Sequence, residues 1–309
     1  DNNVDGTISI GDGLTIQAGN TLSLDATTGG ISASNLTLTS DSSSVTINDI
    51  TNVAGTLNIT ADNDVNLAAN VTTSGTTTID ADNNTGDDDG ELIISAVLNT
   101  GGNNLLVTAN DINIAGSINA DAGTVSITDS DANSGIGLGG TPVTNGVNIS
   151  GAELQAITAA GLNLTTGANG DIIVDGITAV NSTNISGTAL LTANGGNISF
   201  SNVDSTFTNA LSVDADDGVI ASRNITSNAS SVLLDGNVSI ALSAGITLNA
   251  NGDSLTLTAA NGNITGAGTL TLNAADGVTV NNDLTTVGTL TISADTDGGD
   301  NDGLLDVNA

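Results

Sequence analysis

The sequence contains no cysteine, methionine, tryptophan, tyrosine, histidine or lysine, and only one arginine, one proline and two phenylalanines. Without cysteine there is no disulfide and no thiolate to act as nucleophile or soft-metal ligand. Without histidine, lysine or tyrosine, acid–base chemistry at neutral pH would fall to carboxylates alone, with Arg223 the single cation to hold an anionic substrate. No enzyme is expected from such a set. A surface with one cationic side chain cannot neutralise phosphates, so nucleic acid and anionic membranes are poor partners. No stretch approaches the ~18 consecutive apolar residues of a membrane-spanning helix, and no basic segment precedes an apolar one as in a signal peptide. The chain therefore reads as an excised or processed piece without membrane insertion. With Phe200 and Phe207 its only aromatics, any core must be a thin column of Val, Ile, Leu and Ala, and both rings are expected inside it.

What is present is repetition. Gly55 to Ala96 aligns with Gly268 to Ala309 over 42 residues without a gap, and 19 positions are identical. Within each copy the phrase G-T-[LT]-x-[IL] returns after 20 residues, from Gly55 to Gly75 and from Gly268 to Gly288. Each phrase opens a run with a period of two. In GTLNITA, Leu57, Ile59 and Ala61 share one face, and Thr56, Asn58 and Thr60 the other. Short alternating strands, punctuated by Gly, Asn, Asp and Ser and with no helical period between them, predict an all-β chain folded as a parallel β-helix, or β-solenoid. One continuous domain is expected over residues 1–309, with roughly 15 rungs and a length of about 70 Å at the usual strand spacing.

The regularity loosens from Asp129 to Gly151, which holds Pro142 and is read as an irregular excursion on one face of the rod. Proline cannot donate to a ladder, so Pro142 should lie in a turn or at the first residue of a strand. Gly151 onward (GAELQ) suits one helical turn before a strand at Leu162 to Thr165, with the register restored at Asp171 to Val174.

Charge gives the second pattern. The formal net charge is −33, from 34 acids of which only Glu91 and Glu153 are glutamate. Aspartate set beside Gly and Asn points to turns and cation sites, because calcium takes carboxylate, amide and carbonyl oxygens on flexible loops. Three segments have that make-up: Asp80 to Glu91 (DADNNTGDDDGE), Asp295 to Gly303 (DTDGGDNDG) and Asp1 to Gly6, with a D-x-D-x-N-x-G run from Asp129 as a fourth. The candidate ligands of a structural calcium ion are Asp80, Asp82, Asp87, Asp88 and Asp89 in the first loop. In the second they are Asp295, Asp297, Asp300, Asn301 and Asp302, and in the run Asp129, Asp131 and Asn133. The competing reading is a solvated acidic turn. The first two loops recur at the same phase of the two copies, which turn chemistry alone would not demand.

A family resemblance rests on the G-T-L-x-[LI]-x-A phrases, on SDANSGIGLGG with the segment through Ile177 that follows it, and on LLTANGGNISF from Leu190 to Phe200. These resemble the repeat regions of filamentous haemagglutinin-like proteins, very large exported bacterial adhesins of the two-partner-secretion type. The family's amino-terminal secretion module has no recognisable counterpart in this sequence. The resemblance implies a right-handed parallel β-helix on the cell surface. Asp216, Asp217 and Gly218 faintly resemble the paired aspartates of β-helical pectin hydrolases, but the histidine motif expected after them is missing.

The function expected is a structural adhesin stalk or extracellular fibre subunit, its acidic loops stabilised by calcium. The alternatives are a ligand-binding adhesin segment for carbohydrate or a host surface and, further off, a polysaccharide-active enzyme. Self-association is expected, since Asp5-Gly6 and Asp302-Gly303 both form an acidic turn entering a strand, as if cassettes stacked head to tail. Outward T-x-T pairs such as Thr37/Thr39 and Thr256/Thr258 suit solvated strands, and an ice-binding array would need them unbroken on one flat face. N-x-[ST] sequons, such as those at Asn58 and Asn148, occur about as often as this composition yields by chance.

Overall fold

The computed structural model describes residues 7–26, 29–84, 89–298 and 303–308. Alternating runs of two to six residues make the strands, and the buried member of the alternation is mostly aliphatic. In Leu57–Ala61, Leu57, Ile59 and Ala61 are buried and Asn58 is exposed. Every strand pairing is parallel, and successive strands lie on three successive faces, which is a β-solenoid.

The second face is one unbroken 13-stranded sheet from Leu14–Ala18 to Leu304–Val307, and its strands number the turns of the rod. Thirteen strands at the usual spacing give a length of about 60 Å. The expected 15 rungs are thus corrected to 13, because the acidic loops, the excursion and two helical corners take up residues that would otherwise form rungs.

In-register pairing stacks like on like. On the second face, Leu38, Ile59, Ile79, Val107 and Ile127 form one inward column that continues through Leu164 and Leu191 to Val280 and Val307. Each such side chain, when fully covered, contributes roughly 1.5–3 kcal/mol of burial. Phe200 and Phe207 are buried in the core as expected, on the third and first faces.

The two aligned copies do not occupy the same faces. The first runs second, third, first, second, third through Leu57–Ala61, Val65–Leu67, Val71–Thr73, Thr77–Asp80 and Glu91–Ile94. The second copy begins on the first face at Leu270–Ala274 and ends on the second face at Leu304–Val307. The phrase therefore serves both the first and the second face. It also corrects the shared phase expected of the chain's two ends. The strand after Gly6, Ile8–Ser9, lies on the first face, whereas the strand after Gly303 lies on the second.

The excursion from Asp129 to Gly151 is built into the stack and not hung outside it. Gly135–Gly139 and Gly146–Ile149 both join the third face, paired parallel to each other, and Gly135–Gly139 pairs on its other side with Ile172–Asp175. The link between them, Gly140 to Asn145, runs back over the outside of the first strand. A Cβ on Gly137 would sit 2.8 Å from the Thr141 carbonyl oxygen and 3.1 Å from the Val143 nitrogen, so only glycine leaves room for that crossing. Pro142 lies in this link, outside any strand, where its missing N–H costs nothing.

The helical turn is α1, Gly151–Gln155, capped at Ser150, whose side chain accepts from the Glu153 N–H while Glu153 accepts from the Ser150 N–H. A second helix, α2, Ala179–Ser182, was not expected. Its start is marked by Asn181, whose side chain accepts from both the N–H and the hydroxyl of Thr178.

Candidate functional site: acidic loops and a carboxylate column

The first acidic loop leaves the second face at Asp80, the last residue of its strand. Asp80 is half-buried, and burial raises its pKa, with the charge of Asp62 adding to the effect and the hydrogen bond from the Asp82 N–H opposing it. Asp82 is buried, and its carboxylate accepts from the Ser130 hydroxyl at 2.5 Å. Asp89 is exposed and accepts from the Asn63 amide at 3.3 Å. Asp87 and Asp88 lie outside the described residues.

The loop closes on its own base: a Cβ on Gly90 would meet the Ala81 carbonyl oxygen at 2.2 Å and the Asp82 Cβ at 2.3 Å. Gly303 meets the equivalent atoms of Ala294 and Asp295 at 2.3 Å each, so the two loops of the aligned copies close in the same way. In the second loop Asp295 and Asp297 are exposed, and Asp295 accepts from the Gly298 N–H at 2.9 Å. Asp300, Asn301 and Asp302 lie outside the described residues, as do Asp1 to Gly6.

The Asp129 run ends one strand, turns through residues 130–134 and packs beside the first loop. Asp129 ends the strand Thr124–Asp129 facing inward, in register with Ala109, and is 2% exposed. Burial pushes its pKa up to about 6; the Ser134 hydroxyl and Asp131 N–H oppose the shift, and the charges of Asp131 and Asp82 add to it. The Ser134 hydroxyl donates to it at 2.6 Å, and Asp131 accepts from the Asn110 amide at 2.9 Å. Asn133 is exposed and accepts from the Asn169 amide at 3.1 Å. The structure thus brings Asp82, Asp129 and Asp131 to one corner of the rod, two turns apart, with Asp129 turned toward the core. Among the described residues, no three acidic side chains are arranged to hold a metal ion.

A second acidic group went unrecognised in the sequence. Asp64, Glu91 and Asp111 stand at the starts of successive third-face strands, with Glu91 in register with Asp111, and Glu153 of α1 lies beyond them. Burial raises the proton affinity of Glu91 and Asp111; the neighbouring carboxylates of the column raise it further. Hydrogen bonds hold the column in place: Asp64 accepts from the Glu91 N–H, and Asp111 from the N–H groups of Ile112 and Asn148. Glu91 and Asp111 line an open polar cleft of about 390 Å³ whose other wall is the excursion, at Val143, Asn145, Gly146 and Asn148. The signal in the sequence was an acid at the first or preceding position of each strand, in DVNL, ELII and DINI.

The remaining candidates lie apart from these groups. Asp216 and Asp217 are exposed at a corner, where Asp216 accepts from the Gly195 N–H and the Asp217 N–H donates to the Gly196 carbonyl. Arg223 is exposed and donates to the carbonyls of Asn202 and Ser222. Burial works against the Asp175 charge, but the Thr141 hydroxyl, the Asn202 amide and the Val203 N–H outweigh it and hold the pKa below the usual range. On the second face the outward column that carries Thr108, Thr128, Thr165 and Thr192 is interrupted by Asp80, Asp214 and Asp235. Comparison with protein-family models, with curated proteins and with solved structures finds no match.

Proposed function

We propose that this chain is a non-enzymatic structural segment of an extracellular adhesin or fibre, a stalk whose work is to set length and bear load at the cell surface. The observation that carries the reading is the unbroken 13-stranded sheet, which makes one rod from many small repeats. The acidic composition supports it, since a surface of net charge −33 resists collapse onto itself and onto anionic neighbours. Calcium in the Asp80 and Asp295 loops belongs to the same reading, as a structural ion that relieves repulsion where the chain leaves the stack.

The last described turn leaves inward columns uncovered. Leu305 and Val307, in register with the buried Val278 and Val280, are 48% and 55% exposed. Self-association of copies through strand pairing belongs to the same reading.

A second reading, a saccharide- or host-surface-binding segment, is favoured by the polar cleft beside the excursion. Electron microscopy of native material separates the two: long, unbranched fibres with rungs crossing between units support the stalk. Isolated globules that bind a glycan through residues 141–148 overturn it.

A further inference from the structure

In the regular parts of the rod, each boundary between turns is sealed by three backbone ladders, one per face. Between the third and fourth turns, Thr51–Val53 pairs with Val71–Thr73, Leu57–Ala61 with Thr77–Asp80, and Val65–Leu67 with Glu91–Ile94. The middle of the rod departs from this on two different faces. On the third face the excursion adds a strand, and no ladder joins Asp111–Ile114 to Gly146–Ile149, each of which is the last strand of its own sheet. On the first face one sheet ends at Ile157–Thr158 and the next starts at Ser205–Phe207. Between them lie α2 and one bridged position, Ala159 with Ile185. Only the second face is paired throughout, from Thr124–Asp129 through Gly161–Thr165 and Ala189–Ala193 to Leu211–Ala215.

Isolated backbone bonds, from Ala159 to Asn184, Ser186 to Ala159 and Thr206 to Ile177, and side chains stitch the gaps. Across the third-face gap, Asp111 accepts from the Asn148 N–H at 2.8 Å and Glu153 from the Ile114 N–H at 3.1 Å. Across the first-face gap, the amides of Asn181, Asn184 and Asn209 donate to the carbonyls of Gly151, Gln155 and Ile185 at 2.9, 2.7 and 2.7 Å. A ladder fixes several backbone bonds in one register, whereas each side-chain stitch is one bond on a group with its own torsions. Bending stiffness therefore falls where a ladder is replaced, and gaps on different faces let the rod yield in two directions.

We propose that turns five to nine are a built-in joint of the rod, with the second face as the continuous leaf and the asparagine and carboxylate stitches as its stops. This rests on the fold alone and stands or falls apart from the stalk reading. Hydrogen exchange on the intact chain tests it. Amides bordering the two gaps, at 146–149, 157–160 and 183–187, are expected to exchange about tenfold faster than those at matching positions of turns three, four, ten and eleven. Asn181→Ala combined with Asn184→Ala and Asn209→Ala should speed exchange at the joint further. Asn249→Ala with Asn273→Ala, which removes an amide pair between fully laddered turns, should leave the joint unchanged. Uniform protection along the rod, or the same effect from both sets of substitutions, overturns the proposal.

Discussion

Asp129 shows how far single residues could be read. Its loop pattern, D-x-D-x-N-x-G, suggested an outward cation ligand, yet counting by twos from Val125 and Ile127 puts Asp129 on the inward face, where the structure has it. The strand period carried the answer and the motif concealed it. A carboxyl placed among core residues favours its neutral form, and this has a measurable consequence. The folded-state pKa of about 6 lies above the 3.8 of a solvated aspartate, so the residue's contribution to stability is whole below that lower value and is lost as pH rises through about 6. Asp129→Asn keeps the shape and removes the titration. The variant's stability relative to the parent should therefore rise between pH 4 and 7, by on the order of tenfold in the folding constant after allowing for solvent screening. Denaturant titrations of both proteins across that range measure it; a difference that does not change with pH would place the carboxyl in water.

Strands, corners and period were legible because they are local. Alternation names the buried face, and Gly, Asn and Asp name the corners, so the solenoid followed from residues within about one turn of one another. Face assignment, by contrast, depends on the total number of residues between two units. The loops, the helix α2 and the doubled strand of the excursion each alter that number. The G-T-L phrase of the second copy thus sits one face away from its counterpart, though its corner chemistry is the same. In both copies the second glycine stacks on the first: a Cβ on Gly75 would lie 2.8 Å from the Gly55 carbonyl carbon, and one on Gly288 would lie 2.6 Å from that of Gly268. The obstructing atoms are backbone, so no rotamer change relieves them. Gly75→Ala should cost about 1–3 kcal/mol. Gly19→Ala, where nothing lies within 4 Å, should stay within about 0.5 kcal/mol of the parent. Equal melting temperatures for the two variants would show that the corner glycines are matters of composition only.

At the scale of the whole molecule the dominant quantity is charge. Thirty-four acids face one arginine, and several are held in stacks along the rod: Asp64, Glu91 and Asp111 on the third face, Asp214 beside Asp235 on the second. Like charges in register repel, and in each of these stacks burial, with neighbouring carboxylates adding to it, raises the proton affinity of at least one member. Two kinds of cation effect follow, and they can be separated. Monovalent salt screens the whole surface, so stability should climb gradually with ionic strength as the Debye length shrinks from ~30 Å at 0.01 M to ~10 Å at 0.1 M. A bound calcium ion acts by mass action and adds about 2.7 kcal/mol per site once its concentration reaches a hundred times the dissociation constant. The decisive measurement holds ionic strength fixed with sodium chloride while calcium replaces a small part of the sodium, and follows the melting temperature with and without a chelator. The expected outcome is a saturable rise with calcium, reversed by the chelator and reduced when Asp295, Asp297, Asp300 and Asp302 are changed together to asparagine. If matched sodium reproduces the whole rise, the acidic loops are solvated turns and the rod owes its cation dependence to screening alone.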